Sequence, residues 1–233
     1  MDSRYFLRVR GAGTIGLSHH LTASSAKSRK IIGIGDAGCN FVLAASRSGT
    51  VLESAEMMPE FICINFGMNI LREIDVANGT ELGRSQIKAL SLSDLVSAAG
   101  RVNRGRAAAL QNRDALKAVL GNTDMVFLVA GLGGGTGSGV TPIMARLARE
   151  VGAVTVAAVV TPFEWEGERN RTANAAISHL NREADLVVCF SNQELMDVAG
   201  DTITQEDFFA RQNQRIAVCL RGLMDGENDA PRT

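Results

Sequence analysis

Neither sign of charge dominates this sequence, and that absence removes a first class of partner. Its 233 residues carry 24 Lys and Arg against 25 Asp and Glu, a net charge of −1. Nothing in that balance calls for a nucleic-acid or acidic-membrane surface. A single Trp and a single Tyr leave no base-stacking platform of the kind single-stranded nucleic acid needs. Cysteine is sparse too: Cys39, Cys63, Cys189 and Cys219 are scattered without Cys-x-x-Cys spacing. They read as buried thiols of a reducing compartment rather than disulfides or zinc ligands. Cys63 and Cys189 sit inside apolar runs, which favours the core. No apolar run approaches the length needed to span a bilayer, so no transmembrane segment is expected. The start Met1-Asp2-Ser3-Arg4-Tyr5 has no apolar signal core, and a cytoplasmic location is expected. With 45% hydrophobic and 21% charged residues, the composition is that of an ordinary soluble globule.

Glycine is what the sequence has in excess, and it is concentrated. Gly131-Leu132-Gly133-Gly134-Gly135-Thr136-Gly137-Ser138-Gly139 follows the apolar run Met125–Ala130 and precedes a helical pattern over Val140–Val151. A strand feeding a glycine-rich turn that opens a helix is an anion site. The glycines let backbone N–H groups approach, and the helix N-terminus adds partial positive charge. Thr136 and Ser138 add hydroxyl donors. The loop contains no lysine and no Gly-Lys-Ser/Thr, so it is not a Walker A loop. A second loop, Gly33-Ile34-Gly35-Asp36-Ala37-Gly38, satisfies the Gly-x-Gly-x-x-Gly dinucleotide fingerprint. A dinucleotide site also wants an acid at the tip of the next strand, and that strand ends in Asn65-Phe66-Gly67. Two loops at the C-terminal ends of parallel strands suit one polyphosphate nucleotide better than NAD.

The remaining pattern alternates strand and helix. Lys30–Ile34, Phe61–Asn65, Ile87–Leu92, Met125–Ala130, Val154–Val160 and Asp185–Phe190 read as strands, several of them near-continuous apolar runs expected of a buried parallel sheet. Helices are expected over Cys39–Gly49, Ala107–Leu120, Val140–Val151, Asn170–Arg182 and Gln205–Leu223, with an irregular stretch over Gly67–Gly83 that includes an Asn78-Gly79 turn. The fold class is α/β, a doubly wound, mainly parallel sheet. Residues 29–224 form one domain. Residues 1–28, with Arg4, Arg8, Arg10 and Lys27 and no acid after Asp2, read as a flexible arm, and 225–233 as a polar tail.

The run Gly-Gly-Gly-Thr-Gly-Ser-Gly at 133–139 resembles the glycine loop of the tubulin superfamily. Arg113-Asp114-Ala115-Leu116, Met125-Val126-Phe127 and Thr161-Pro162-Phe163-Glu164-Trp165-Glu166-Gly167 look like bacterial FtsZ rather than eukaryotic tubulin. The resemblance runs from about Arg29 to about Leu223. It implies a Rossmann-like GTP-binding domain with GTP or GDP as ligand and Mg²⁺ as accompanying ion. It also implies self-association, or association with FtsZ, in a tubulin-like cytoskeletal or cell-division system.

Carried over residue by residue, the resemblance assigns nucleotide contacts to Gly35, Asp36, Ala37, Gly38 and Asn40 in the first loop. In the second loop it assigns Gly133, Gly134, Gly135, Thr136, Gly137 and Ser138. The first loop departs from FtsZ's all-glycine run and is closer to that of eukaryotic tubulin. Asp36 would repel phosphates unless it holds Mg²⁺; the alternative is that it N-caps the following helix. Gly100-Arg101-Val102-Asn103-Arg104-Gly105-Arg106 lies where FtsZ has a loop beside the γ-phosphate. Its arginines either grip phosphate or form a solvated cationic turn. Glu166 matches the ribose-binding glutamate. Where an arginine is expected four residues on, the chain has Asn170, with Arg169 the substitute one position earlier. Asn192 and Asn213 match the two guanine-contacting positions, whose amides both donate and accept.

FtsZ hydrolyses GTP between subunits, through a loop Asn-x-Asp-Phe-x-Asp after the central helix. Here Gly222-Leu223-Met224-Asp225-Gly226-Glu227-Asn228-Asp229 echoes it without the Phe or the spacing. No catalytic residue and no metal ligand is therefore assigned, and hydrolysis by the chain alone is expected to be weak. Two alternatives stay open: a GTPase active only when a partner subunit supplies the acidic loop, and a structural module that has lost nucleotide binding.

Overall fold

The computed structural model describes residues 6–9, 28–47, 52, 58–66, 87–92, 101–200 and 202–225. In chain order they form β1 (Phe6–Val9), β2 (Arg29–Ile34), α1 (Gly35–Ala45), β3 (Glu60–Asn65), β4 (Ile87–Ser91), α2 (Val102–Gln111) and α3 (Arg113–Val119). Then follow β5 (Met125–Gly131), α4 (Gly135–Glu150), β6 (Val154–Thr161), α5 (Gly167–Glu183), β7 (Leu186–Ser191), α6 (Asn192–Ala199) and α7 (Gln205–Asp225). The strands make one seven-stranded sheet in the order β1-β7-β6-β5-β2-β3-β4. Six run parallel, and β1 joins the edge antiparallel to β7. The doubly wound, mainly parallel α/β sheet is therefore as the sequence reads.

Period-two alternation splits strands β2 to β7 between two cores. On one face Ile32, Ile34, Ile62, Ile64, Val126 and Leu128 pack under α2, α3, α4 and α5. On the other Ile31, Phe61, Cys63, Phe127, Val129 and Val188 pack under α1 and α7. Both faces are covered, which is why β5 is buried from Met125 to Ala130 and shows no polar alternation in sequence. Lys30, like Arg29 beside it on β2, is a charged residue buried among these strand positions. Its ammonium donates to the Val119 carbonyl at 2.6 Å and the Gly121 carbonyl at 3.0 Å, so the β2 side chain satisfies the end of α3. Glu60 stands 3.6 Å from it. Burial disfavours the Glu60 carboxylate, but Lys88 and Lys30 outweigh that and hold its carboxyl below the usual range.

The order of strands places a switch point between β2 and β5. From β2 the chain winds outward through β3 and β4, then returns to β5 and winds the other way. Ligands of open α/β sheets bind in the crevice at such a point, outside the carboxyl ends of the strands. Both glycine loops are the connections leaving these two strands.

Several boundaries differ from the sequence reading. The helices after β2, β5 and β6 begin at Gly35, Gly135 and Gly167 rather than at Cys39, Val140 and Asn170. Each of the first two absorbs glycines that read as loop. The single helix expected over Ala107–Leu120 is two, α2 and α3, broken at Asn112. There the side-chain amide donates to the Ala108 carbonyl at 2.9 Å and the Leu92 carbonyl at 2.8 Å, competing with the helix backbone. Helix α6 was not expected; Ser191 caps it by accepting from the Glu194 N–H at 3.2 Å. Strand β1 lies in the stretch read as a flexible arm. Cys39 and Cys63 are buried as expected, whereas Cys189 and Cys219 are only partly so. The expected irregular stretch with its Asn78-Gly79 turn, the helix end at Gly49 and the tail beyond Asp225 lie outside the described residues.

Helix α1 meets the sheet backbone to backbone. A Cβ at Gly38 would lie 2.2 Å from the Val129 carbonyl oxygen, so any larger residue forces helix and strand apart. Gly222, in α7, has nothing within 4 Å of the corresponding position. Gly38→Ala is expected to lower unfolding free energy by about 3 kcal/mol, whereas Gly222→Ala raises it by about 0.5–1 kcal/mol through helix propensity. Guanidinium unfolding of both variants checks the opposite signs.

Candidate functional site

The first loop is the start of α1. Gly35 carries φ +72° and is buried, and its Cβ position lies 3.4 Å from Thr136 Cβ at the head of α4. The two loops thus touch at the switch point. The N-cap position of α1 is Ile34, which makes no side-chain cap. Asp36 is therefore not an N-cap. It stands exposed in the first turn, and Oδ1 accepts from Asn65 Nδ2 at 2.7 Å. Asn65 Oδ1 in turn accepts from the Phe66 N–H at 2.8 Å. The tip of β3 thus holds one Asp36 oxygen, and the other has no partner among the described residues, which suits a carboxylate able to take a cation or its water. Ala37 and Asn40 are exposed on the same helix, while Gly38 is buried against β5.

The second loop divides between shaping and contact. Gly133 carries φ +93°, and its N–H donates to the buried Ser138 hydroxyl at 2.9 Å, closing the turn on itself. Gly137 is pressed on Gly131, where a Cβ would lie 2.0 Å from the carbonyl oxygen. Ser138 and Gly137 therefore build the loop. Gly134 sits at the N-cap of α4 in extended conformation, with nothing within 4 Å of its Cβ position. Gly135 begins the helix, and the half-buried Thr136 hydroxyl has no partner among the described residues. What remains open to a ligand is the α4 N-terminus at Gly134–Thr136, with N–H groups no side chain caps. Space that a Cβ would fill, lined by backbone N–H, fits a phosphate chain.

Of the cationic segment, Arg104 and Arg106 lie on α2 rather than in a turn, and Gly100 lies outside the described residues. Arg106 lines a groove between α2, α4 and α5, shared with Ser138 and Gly139 of the second loop and with Pro142, Ile143 and Arg146.

The turn between β6 and α5 is tied by its own side chains. Glu166 Oε1 accepts from the Phe163 N–H at 3.0 Å, and Oε2 pairs with the Arg169 guanidinium. Asn170 Nδ2 donates to the Phe163 carbonyl at 2.6 Å. Asn170 thus staples the turn, and Arg169 is the cation beside Glu166. Arg169 Cβ would lie 3.0 Å from a Cβ at Gly133, which joins this turn to the second loop. Phe163 stacks on Trp165 at 5.6 Å between ring centroids and meets Phe208 of α7 at 5.5 Å.

Asn192 is the first residue of α6, directly after β7. Asn213 is half-buried on α7 and makes no side-chain hydrogen bond among the described residues. Gln212, its neighbour, is the residue that sequence reasoning missed. It is 3% exposed and bonds Asn192 at 3.2 Å, joining α7 to the base of α6. Asn65 enters the sequence reading only as part of a strand end that lacks an acid. Its position at the tip of the strand beside β2 was the available signal for a partner to Asp36. No cluster of three metal-ligating side chains occurs among the described residues. Cys39 is no nucleophile, since its hydrogen bond with Cys63 and then burial push the thiol far up.

Comparison with known proteins agrees with this arrangement. The model of the Tubulin/FtsZ family, GTPase domain, matches residues 28–200. The cell division protein FtsZ of Pseudomonas putida is 34% identical over 197 residues, 84% of this chain and 46% of that protein. FtsZ of Neisseria gonorrhoeae is 29% identical over 196 residues, 84% and 47% of the two chains. Among solved structures, the empty FtsZ dimer of M. jannaschii superposes with a TM-score of 0.70 at 27% identity, covering 85% of this chain and 54% of its own. The GTPγS-bound protofilament of CetZ2 from Haloferax volcanii gives 0.66 at 19% identity, covering 87% and 60%, a likeness of fold alone. The chain spans about half the length of the curated relatives it matches. A family match that takes in both glycine loops, on a sheet whose switch point brings those loops together, places the chain in the tubulin/FtsZ family of GTPase domains.

Proposed function

We propose that the chain binds GTP or GDP at the β2–β5 switch point, with Mg²⁺, and acts in the cytoplasm as a component of a tubulin-like assembly. The carrying observation is the contact of the two loops, with Gly35 against Thr136 and an uncapped α4 N-terminus beside them. Backbone N–H groups of Gly134, Gly135 and Thr136 hold phosphate. Asp36, oriented by Asn65, takes the cation or its water. Glu166 accepts ribose hydroxyls, with Arg169 beside it. Asn192 and Asn213 meet the base, and Phe209, 50% exposed and one turn before Asn213 on α7, offers a ring face.

Phosphoryl transfer needs an oriented water as well as held phosphates. Of the acids in the segment that echoes the FtsZ catalytic loop, Asp225 is bound to Arg221. Glu227 and Asp229 lie outside the described residues. The reading is therefore one of weak hydrolysis by the chain itself, self-association that adds no catalytic carboxylate, and acceleration by an FtsZ-type subunit that supplies the acidic loop.

Three outcomes are expected. Isothermal titration should show GTP and GDP binding in preference to ATP; equal affinities would sink the base assignment. Gly134→Ala should leave the unfolding midpoint unchanged, since its Cβ meets nothing. The same methyl should weaken GDP binding by about tenfold, the loss of a charge-assisted hydrogen bond to phosphate. Phosphate release from GTP should be slow per molecule and flat with protein concentration. A rate that climbs steeply with concentration would show that the chain completes its own catalytic site on assembly.

A further inference from the structure

The buried side-chain amide of Gln212 has one orientation open to it. Its Oε1 accepts from Arg215 Nη1 at 3.0 Å, and a guanidinium can only donate. Its Nε2 faces the Phe190 carbonyl oxygen at 3.4 Å, and a carbonyl can only accept. The group 3.2 Å from Asn192 is therefore an N–H donor, and Asn192 must turn Oδ1 toward it. Glu194 stands 4.0 Å from Arg215 Nη2 at the far end of this chain of contacts. The consequence falls on the opposite end of Asn192. Its Nδ2, with two N–H groups, points away from Gln212 and has no partner among the described residues. An asparagine free to rotate by half a turn would serve a donor or an acceptor equally. This one is held as a donor from behind.

We propose that Gln212 is a positioning residue that locks Asn192 as a hydrogen-bond donor, so that the site selects a purine with a carbonyl at position 6 over one with an amine. The inference rests on the nucleotide-binding reading above. An N–H fixed toward the base meets O6 of guanine or hypoxanthine. Against the N6 amine of adenine it sets donor against donor, and the buried network behind it offers no cheap reversal.

The test is calorimetric titration of the full chain with GTP, ITP and ATP, alongside Gln212→Met, Gln212→Glu and Asn192→Asp. The parent should bind GTP and ITP alike and ATP about tenfold more weakly, the effect of one oriented hydrogen bond. Gln212→Met removes the lock, and the GTP-to-ATP ratio should fall close to one. Gln212→Glu offers Asn192 only acceptors, turns its amide over and should move the preference past parity toward ATP. A purely structural role would weaken all three nucleotides together and leave their ratios intact. Should the Gln212 variants not fold, Asn192→Asp carries the test. Its carboxylate keeps the Gln212 bond and presents an acceptor to the base, so it too should favour ATP. A parent that binds none of the three overturns the nucleotide-binding reading itself. A parent that binds GTP without discriminating against ATP overturns the lock together with the base assignment and leaves nucleotide binding standing, whereas folded variants that keep the parent ratio overturn the lock alone.

Discussion

Everything at the site depends on how closely two helices approach the sheet. Side chains ordinarily keep helix and sheet apart by their own thickness, but α1 and α4 each carry a glycine where the backbone meets a strand carbonyl. Gly38 lies against Val129 and Gly137 against Gly131. These contacts draw the helix N-termini down onto the ends of β2 and β5. That is what brings Gly35 within reach of Thr136. Oxygens and N–H groups then stand where a bulkier interface would have left a hydrophobic layer. The same closeness leaves no room for relaxation, since close-packed interiors transmit a displaced backbone rather than absorb it.

The two ends of the crevice are built by different means. At the glycine-loop end the surface is backbone, with conformation set by the positive φ of Gly35 and Gly133 and by the internal bond from Gly133 to Ser138. At the other end, between the β6–α5 turn and α7, it is a network of side chains that hold each other. Glu166, Arg169 and Asn170 tie one turn, while Gln212, Asn192 and Arg215 tie α7 to the end of β7. Groups already held in place lose little freedom when a ligand arrives, which is the physical advantage of preorganisation. Phe163 connects the two networks through its contact with Phe208. Turn and helix therefore share one wall.

The buried strands were legible because a parallel sheet covered on both faces leaves a continuous apolar run, as in Met125–Ala130. Helix starts were not. Glycine has poor helix propensity, and the first turns of α1 and α4 were read as loops although tertiary contact makes them helical. Ala107–Leu120 reads as one helix by composition, and only the hydrogen bonds of Asn112 to Leu92 and Ala108 divide it. The start of α6 did carry a local signal, Ser191 followed three residues later by Glu194, which is a capping pattern. Strand β1 carried none that distinguishes it from an extended arm; its pairing with β7 is non-local.

Residue types and their spacing alone determined the alternating architecture, the two glycine loops and the kind of ligand that backbone N–H groups at strand ends can hold. Those features follow from local chemistry, because periodicity, glycine freedom and the absence of side-chain bulk act over a few residues. The tertiary structure decided which glycines shape the loop and which stay open to a ligand. It paired Asp36 with Asn65 across 29 positions of sequence and Gln212 with Asn192 across 20. Such pairings depend on which strand ends lie side by side. Strand order in this sheet is set by the global packing of helices on both faces, which no short stretch of sequence contains.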